Sequence, residues 1–201
     1  MTIAIIDYGA GNVPSVERAL EKLGAASRRV SQPGDLAHTT AVVLPGVGHY
    51  AAIIRALDER QLRAPILEAI RRGVPFLGIC LGLQALYSSS DEAPKLPGLG
   101  VVRGSVKSLP HNVKLPHTGW NRLRIQADSA LLEGLSESDY FYFAHTFAAL
   151  DSLDATVATC VHGAPFTAAL EQGRLFATQF HPEKSGAAGA RLLRNFLRLA
   201  A

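Results

Sequence analysis

The stretch Gly78-Ile79-Cys80-Leu81-Gly82 constrains this chain more than any other. It ends an apolar run, Val74 to Ile79, and opens a helix-like run, Leu81 to Tyr87. A nucleophile flanked by glycines at a strand-to-helix turn is the pattern of a nucleophile elbow. Glycine tolerates the crowding that so tight a turn imposes. The thiol is then held above the sheet, and the first amides of the next helix point at whatever the sulfur attacks. Those amides and the helix dipole favour thiolate over thiol. Far downstream, Gln179-Phe180-His181-Pro182-Glu183 offers an imidazole and a carboxylate two residues apart, after the apolar run Leu175 to Phe180. Cysteine, histidine and glutamate together supply a nucleophile, a base and a group that orients the base.

Each of these strings has a plainer reading. A lone cysteine is ordinarily a small core residue. The flanking glycines select Cys80 as the nucleophile, whereas Cys160, inside the strand-like run Ala155 to Val161, reads as core. Residues two apart on an extended segment project to the same side, and Pro182 fixes the backbone between His181 and Glu183. The carboxylate can then reach the imidazole or its backbone and set its tautomer. A metal site would want further His or Cys ligands at helical or knuckle spacing. None is present in the sequence, so neither a metal nor a cofactor is expected. His111 and His117 read as loop residues, and His145 as either a buried hydrogen-bonded histidine or a pocket wall.

Pro45-Gly46-Val47-Gly48 follows a strand-like run and precedes a helical one. Two glycines there fit a loop that needs positive φ. The loop also falls where α/β sites gather, at the carboxyl end of a parallel strand. A free amide from it could serve as an oxyanion donor beside the amide of Leu81. Tyr8-Gly9-Ala10-Gly11-Asn12 begins like a dinucleotide fingerprint, but the third glycine position is Pro14, and no phosphate-binding P-loop string occurs.

The alternation of apolar strand and helical spacing through the first half predicts an α/β fold with a mostly parallel sheet covered on both faces. After Asp91, Pro and Gly punctuate short β-type runs, which read as an antiparallel extension returning to that sheet. Leu192, Leu193, Phe196 and Leu197 give a closing helix one apolar face. At 201 residues, one domain spanning 1–201 is expected. The net charge of +3 comes from scattered basic pairs such as Arg28-Arg29 and Arg71-Arg72, which argues against nucleic acid. No apolar stretch is long enough to span a bilayer, and no signal peptide is visible. With two cysteines and no disulfide framework, a cytoplasmic, reduced protein is expected.

Taken together, these strings resemble class I (triad-type) glutamine amidotransferases, with a flavodoxin-like fold. Within them the chain is similar to the glutaminase subunits of imidazole glycerol phosphate synthases of histidine biosynthesis. The class features are Gly78 to Gln84 and His181-Pro182-Glu183; the narrower ones are Asp7 to Asn12, Leu44 to Gly48, Pro116 to Asn121, Tyr142 to His145 and Gln179 to Ser185. The resemblance implies that Cys80 attacks the carboxamide of glutamine, His181 manages protons and Glu183 orients His181. It implies oxyanion amides at Leu81 and in the Gly46-Val47-Gly48 loop, and substrate contacts at Gln84, Glu92, Gly46, His145 and Thr146. It implies a partner, a (β/α)₈ cyclase subunit that receives the ammonia, faced by Asn12, Trp120, Tyr142 and Lys184. Trp120 read by itself is equally an ordinary core aromatic. The loop is expected to hold its amide turned away until the partner binds its own substrate. The alternatives are a glutaminase subunit of another synthase, such as pyridoxal phosphate synthase, and a stand-alone cysteine hydrolase of similar fold. Departures from the family fall at Ser88, at Gly186 and at Thr146-Phe147-Ala148.

Overall fold

The computed structural model describes residues 2–37, 39–150 and 155–201. In chain order the strands and helices are β1 (Ile3–Ile6), α1 (Val13–Glu21), β2 (Ser27–Val30), β3 (Ala41–Gly46), α2 (Tyr50–Glu59), α3 (Arg63–Arg71), β4 (Phe76–Cys80) and α4 (Leu81–Ala85). They continue with β5 (Tyr87–Ser90), β6 (Val102–Ser108), β7 (His117–Arg122), β8 (Arg124–Ile125), β9 (Tyr140–His145) and β10 (Phe147–Ala148). The last are β11 (Thr156–His162), β12 (Ala164–Gln172), β13 (Leu175–Thr178) and α5 (Gly186–Ala200).

The main sheet runs β2-β1-β3-β4-β13-β12-β11-β8. Its first five strands are parallel, and β12, β11 and β8 join antiparallel. Strands β1, β3, β4 and β13 are buried on both faces because both are covered, whereas the edge strand β2 carries Arg28 and Arg29 and is only partly buried. Ile3 and Ile5 of β1 face the core under α1 and α5. Ala4 and Ile6 face the core under α2 and α3. Helix α1 places Val13, Val16 and Leu20 on its buried side, and α5 does the same with Leu192, Leu193, Phe196 and Ala200.

Several boundaries differ from the sequence reading. The helical region after Tyr50 is broken at Gln61, with φ 56°, into α2 and α3. Pro65 sits in the first turn of α3, where a missing N–H costs no helical hydrogen bond. The helix after Cys80 stops at Ala85, and Tyr87 starts a strand. The carbonyls of Ala85 and Leu86 are taken by the amides of Leu99, Val101 and Val102, so no further helical turn can form. His117 lies in β7, not in a loop, and pairs with His145 of β9 in a separate antiparallel ribbon. A second small sheet, β10-β6-β5, also stands apart from the main one. The antiparallel extension is therefore only partly returned to the main sheet.

Candidate active site

Cys80 ends β4 and begins α4 with φ 55° and ψ −108°, a conformation in which β-carbon crowding is costly. The chain permits it by removing side chains nearby. A β-carbon on Gly82 would stand 1.9 Å from the Leu44 carbonyl oxygen. One on Gly46 would stand 2.7 Å from the Gly82 nitrogen, and one on Gly78 would stand 3.0 Å from the Gly82 carbonyl. The glycines thus let the end of β3 and the first turn of α4 pass at backbone distance. Gly46 is paired in register with Cys80, which sets the Val47-Gly48 loop beside the sulfur.

The triad residues come together at this end of the sheet. His181 follows β13, the parallel neighbour of β4. Its Nδ1 lies 2.9 Å from Glu183 Oε1, and both side chains are buried. The Nδ1–H therefore donates to the carboxylate, leaving Nε2 for the sulfur. Asn12 Nδ2 donates to the same Glu183 oxygen at 3.2 Å. Burial alone would lower the proton affinity of His181. Hydrogen bonds to Cys80 and Glu183, and the charge on both, outweigh it and push its pKa up to about 10. Cys160, by contrast, is fully buried in β11, and burial pushes its thiol up to about 12.

A cleft of about 630 Å³ opens over Cys80. Leu81, Val47, Gly48, Gln84, Glu92, His145, Thr146, His181, Asn12 and Lys184 all line it, whereas Gly46, expected as a substrate contact, lies in the sheet beside Cys80 and not in the lining. Glu92 is held by accepting the Tyr50 amide at 2.7 Å. Beside the mouth, Trp120 is 55% exposed, which excludes the core reading. Its ring meets that of Tyr142 at 6.0 Å, and the Lys184 ammonium sits 5.6 Å from the Tyr142 ring centre. Trp120, Tyr142 and Lys184 thus form one aromatic and cationic patch at the rim.

No motif in the sequence marks a role for Gln179 or His117. The fully buried Gln179 points Nε2 at Cys80 Sγ, 3.7 Å away, and its Oε1 accepts from Gln84 Nε2 at 3.1 Å. Gln179 stands two residues before His181 in the chain, but its reach to the sulfur is a tertiary fact. Among the described residues, no group of three His, Cys, Asp or Glu side chains is placed to hold a metal ion. No helix among them is long and apolar enough to cross a membrane.

The sequence model of the class-I glutamine amidotransferases matches residues 4–200, nearly the whole chain. The chain belongs to this family. The class-I amidotransferase relatives include the imidazole glycerol phosphate synthase subunit HisH of Methanothermobacter thermautotrophicus, 49% identical over 197 residues and covering 98% of each chain. The protein of the same name from Deinococcus radiodurans is 44% identical over 200 residues, covering 98% of this chain and 93% of that one. Among solved structures, a glutamine amidotransferase superposes with a TM-score of 0.78 at 23% identity, covering 98% of both chains. The PurLQS structure from Thermotoga maritima superposes at 0.77 with 20% identity, covering 98% of this chain and 97% of that one. These two likenesses establish the amidotransferase fold.

Proposed function

We propose that this amidotransferase is the glutaminase subunit of an imidazole glycerol phosphate synthase, serving histidine biosynthesis. The single observation that carries the chemistry is the Cys80–His181–Glu183 constellation at the elbow, with the imidazole held by the carboxylate at 2.9 Å. The relatives' shared name, over nearly the full length of the chain, supports the assignment to this synthase.

The sulfur of Cys80 attacks the carboxamide carbon of glutamine, and the carbonyl oxygen becomes an oxyanion. Amides at Leu81 and in the Val47-Gly48 loop are the donors for that charge. The nucleophilic form of cysteine is the thiolate, and a protonated His181 facing it supplies the counter-charge. The same proton passes to the departing nitrogen as the C–N bond breaks, releasing ammonia and leaving a thioester on Cys80. His181, now neutral, takes a proton from water, the water adds to the thioester, and glutamate leaves as the thiol re-forms. Glu183 keeps the ring in one orientation through its bond to Nδ1. Gln84, Glu92 and Thr146 frame the glutamine, and His145 stands behind them in the cleft wall.

Free ammonia is largely protonated in neutral water, and ammonium is not a nucleophile. The ammonia is therefore passed to a (β/α)₈ cyclase subunit, with Asn12, Trp120, Tyr142 and Lys184 facing it. Exposure of Trp120 beside the cleft mouth supports a docking face there. The test is glutamate formation by the chain alone, with the cyclase, and with the cyclase plus its ribonucleotide substrate. Glutamate formation rises at the last addition if the reading holds. Equal turnover in all three contradicts it.

A further inference from the structure

The inner face of the β7–β9 ribbon carries two buried histidines that the proton chemistry above does not use. His145 Nδ1 lies 3.0 Å from the Phe147 carbonyl oxygen, and His145 Nε2 lies 3.0 Å from His117 Nδ1. His117 Nε2 lies 3.2 Å from Asn121 Nδ2. The direction of every bond follows from groups that have no choice. A carbonyl only accepts, so His145 Nδ1 donates. The neutral ring then offers a lone pair at Nε2, so His117 Nδ1 donates to it and keeps its own lone pair at Nε2. Asn121 Nδ2 donates there and to the Val161 carbonyl, while Asn121 Oδ1 accepts from the Arg122 amide. Adding a proton to either ring sets one N–H against another.

The chain of bonds continues toward the sulfur. The Phe147 carbonyl accepts a second bond, from Gln84 Nε2 at 2.7 Å. Gln84 spends its other N–H on Gln179, whose own amide faces Cys80. Gln84 is left to meet the cleft as an acceptor, through Oε1.

We propose that His117 and His145 are positioning residues for glutamine binding: a neutral pair, each ring locked in its Nδ1–H tautomer, that fixes the Phe147 carbonyl and through it the amide of Gln84. Other ionisable groups act on the pair from neighbouring elements: His162 of β11 stacks on His117 with ring centres 4.2 Å apart, and His181 acts on His145. The Phe143 and Phe166 rings close the remaining sides. Burial first, then these neighbouring imidazoles, hold the pKa of His145 at about 3, and burial with His162 holds that of His117 at about 4. The contact to Gln84 comes from the Phe147 backbone, so the departure from the family's common side chains at this segment leaves it intact.

The inference rests on the glutaminase reading for its activity measurement alone. In ¹⁵N-labelled full-length chain, imidazole NMR is expected to show both rings neutral and protonated at Nδ1 between about pH 8 and pH 5. In the chain assembled with its cyclase, His145→Phe is expected to raise KM for glutamine about ten-fold with kcat within about two-fold. His145→Asn, whose amide nitrogen can stand where Nδ1 stood, is expected to restore KM to within about three-fold. Either ring carrying its proton at Nε2, or charging near pH 6.5, overturns the proposal. So does an equal KM for the two variants. A wild-type complex that fails to hydrolyse glutamine overturns the glutaminase reading instead, and the NMR result still decides the relay.

Discussion

Two imidazoles stand at different walls of one cleft, His181 2% exposed and His145 6% exposed, yet they hold protons in opposite ways. Burial penalises the charge on both. At His181 the sulfur of Cys80 and the carboxylate of Glu183 overcome that penalty, and the pKa rises to about 10. At His145 burial is reinforced by His117, His162 and His181 and opposed by the Phe147 carbonyl, and the pKa falls to about 3. Burial lowers both, and only the sulfur and the carboxylate beside His181 are strong enough to reverse the sign. One corner of the cleft is thereby equipped to move protons and the other to keep them still.

The sharpest way to break this contrast is to remove the partners of His181. Cys80→Ala is expected to reduce glutamine hydrolysis at least about 10³-fold in steady-state assays. Glu183→Gln leaves a side chain of the same shape without the charge, and the rate is expected to fall about 10²-fold or more. In the double variant burial of His181 is opposed only by a neutral amide oxygen, so its NMR titration midpoint should fall far below 10, toward or below the ordinary 6.5. A midpoint that stays near 10 would mean that Cys80 and Glu183 are not what raise it.

A smaller effect separates the corners by geometry. Gly82→Ala places a methyl carbon 1.9 Å from a backbone oxygen that has no room to retreat. It is expected to cost about 1–3 kcal/mol in urea unfolding, along with activity, because the elbow must open to admit it.

The two corners should also give stability opposite pH slopes. His117 and His145 bind a proton more weakly folded than unfolded, so their contribution is full above about pH 6.5 and is lost as pH falls toward 4 and 3. His181 binds its proton more tightly folded, so its contribution is full below about pH 6.5 and is lost as pH rises through 10. Each slope is at most about 1.4 kcal/mol per pH unit per histidine. Urea unfolding across pH checks both, and His117→Asn should flatten the acid side alone. The smallest effect on the chain itself is expected from Trp120→Ala. Its side chain is exposed, so stability should change by less than about 0.5 kcal/mol, while cyclase affinity in titration calorimetry should drop.

The two corners also differed in how far the sequence disclosed them. The catalytic one is built from local signals. Parallel strands such as Ala41–Gly46 and Phe76–Cys80 are buried on both faces and so read as apolar runs. The elbow needs glycines at fixed offsets, and His181 and Glu183 are neighbours in the chain. The ribbon corner offered no such pattern. Strand β7 turns His117 and Asn121 inward and Trp120 outward, which inverts the usual period of apolar and polar residues. Its register with β9 is a tertiary fact, and the group that ties the relay to Gln84 is a backbone carbonyl that no side-chain motif names. The early stop of α4 has a related cause, since the backbone of Leu99–Val102 captures its last carbonyls.

The proposed chemistry requires Cys80 as its nucleophile, and a glutamine-analogue electrophile tests this directly. With the chain assembled on its cyclase, peptide mass spectrometry should find the adduct on Cys80, none on the buried Cys160, and loss of glutaminase activity in step with labelling. Full inactivation with Cys80 unmodified, or undiminished turnover with Cys80 fully labelled, would contradict it.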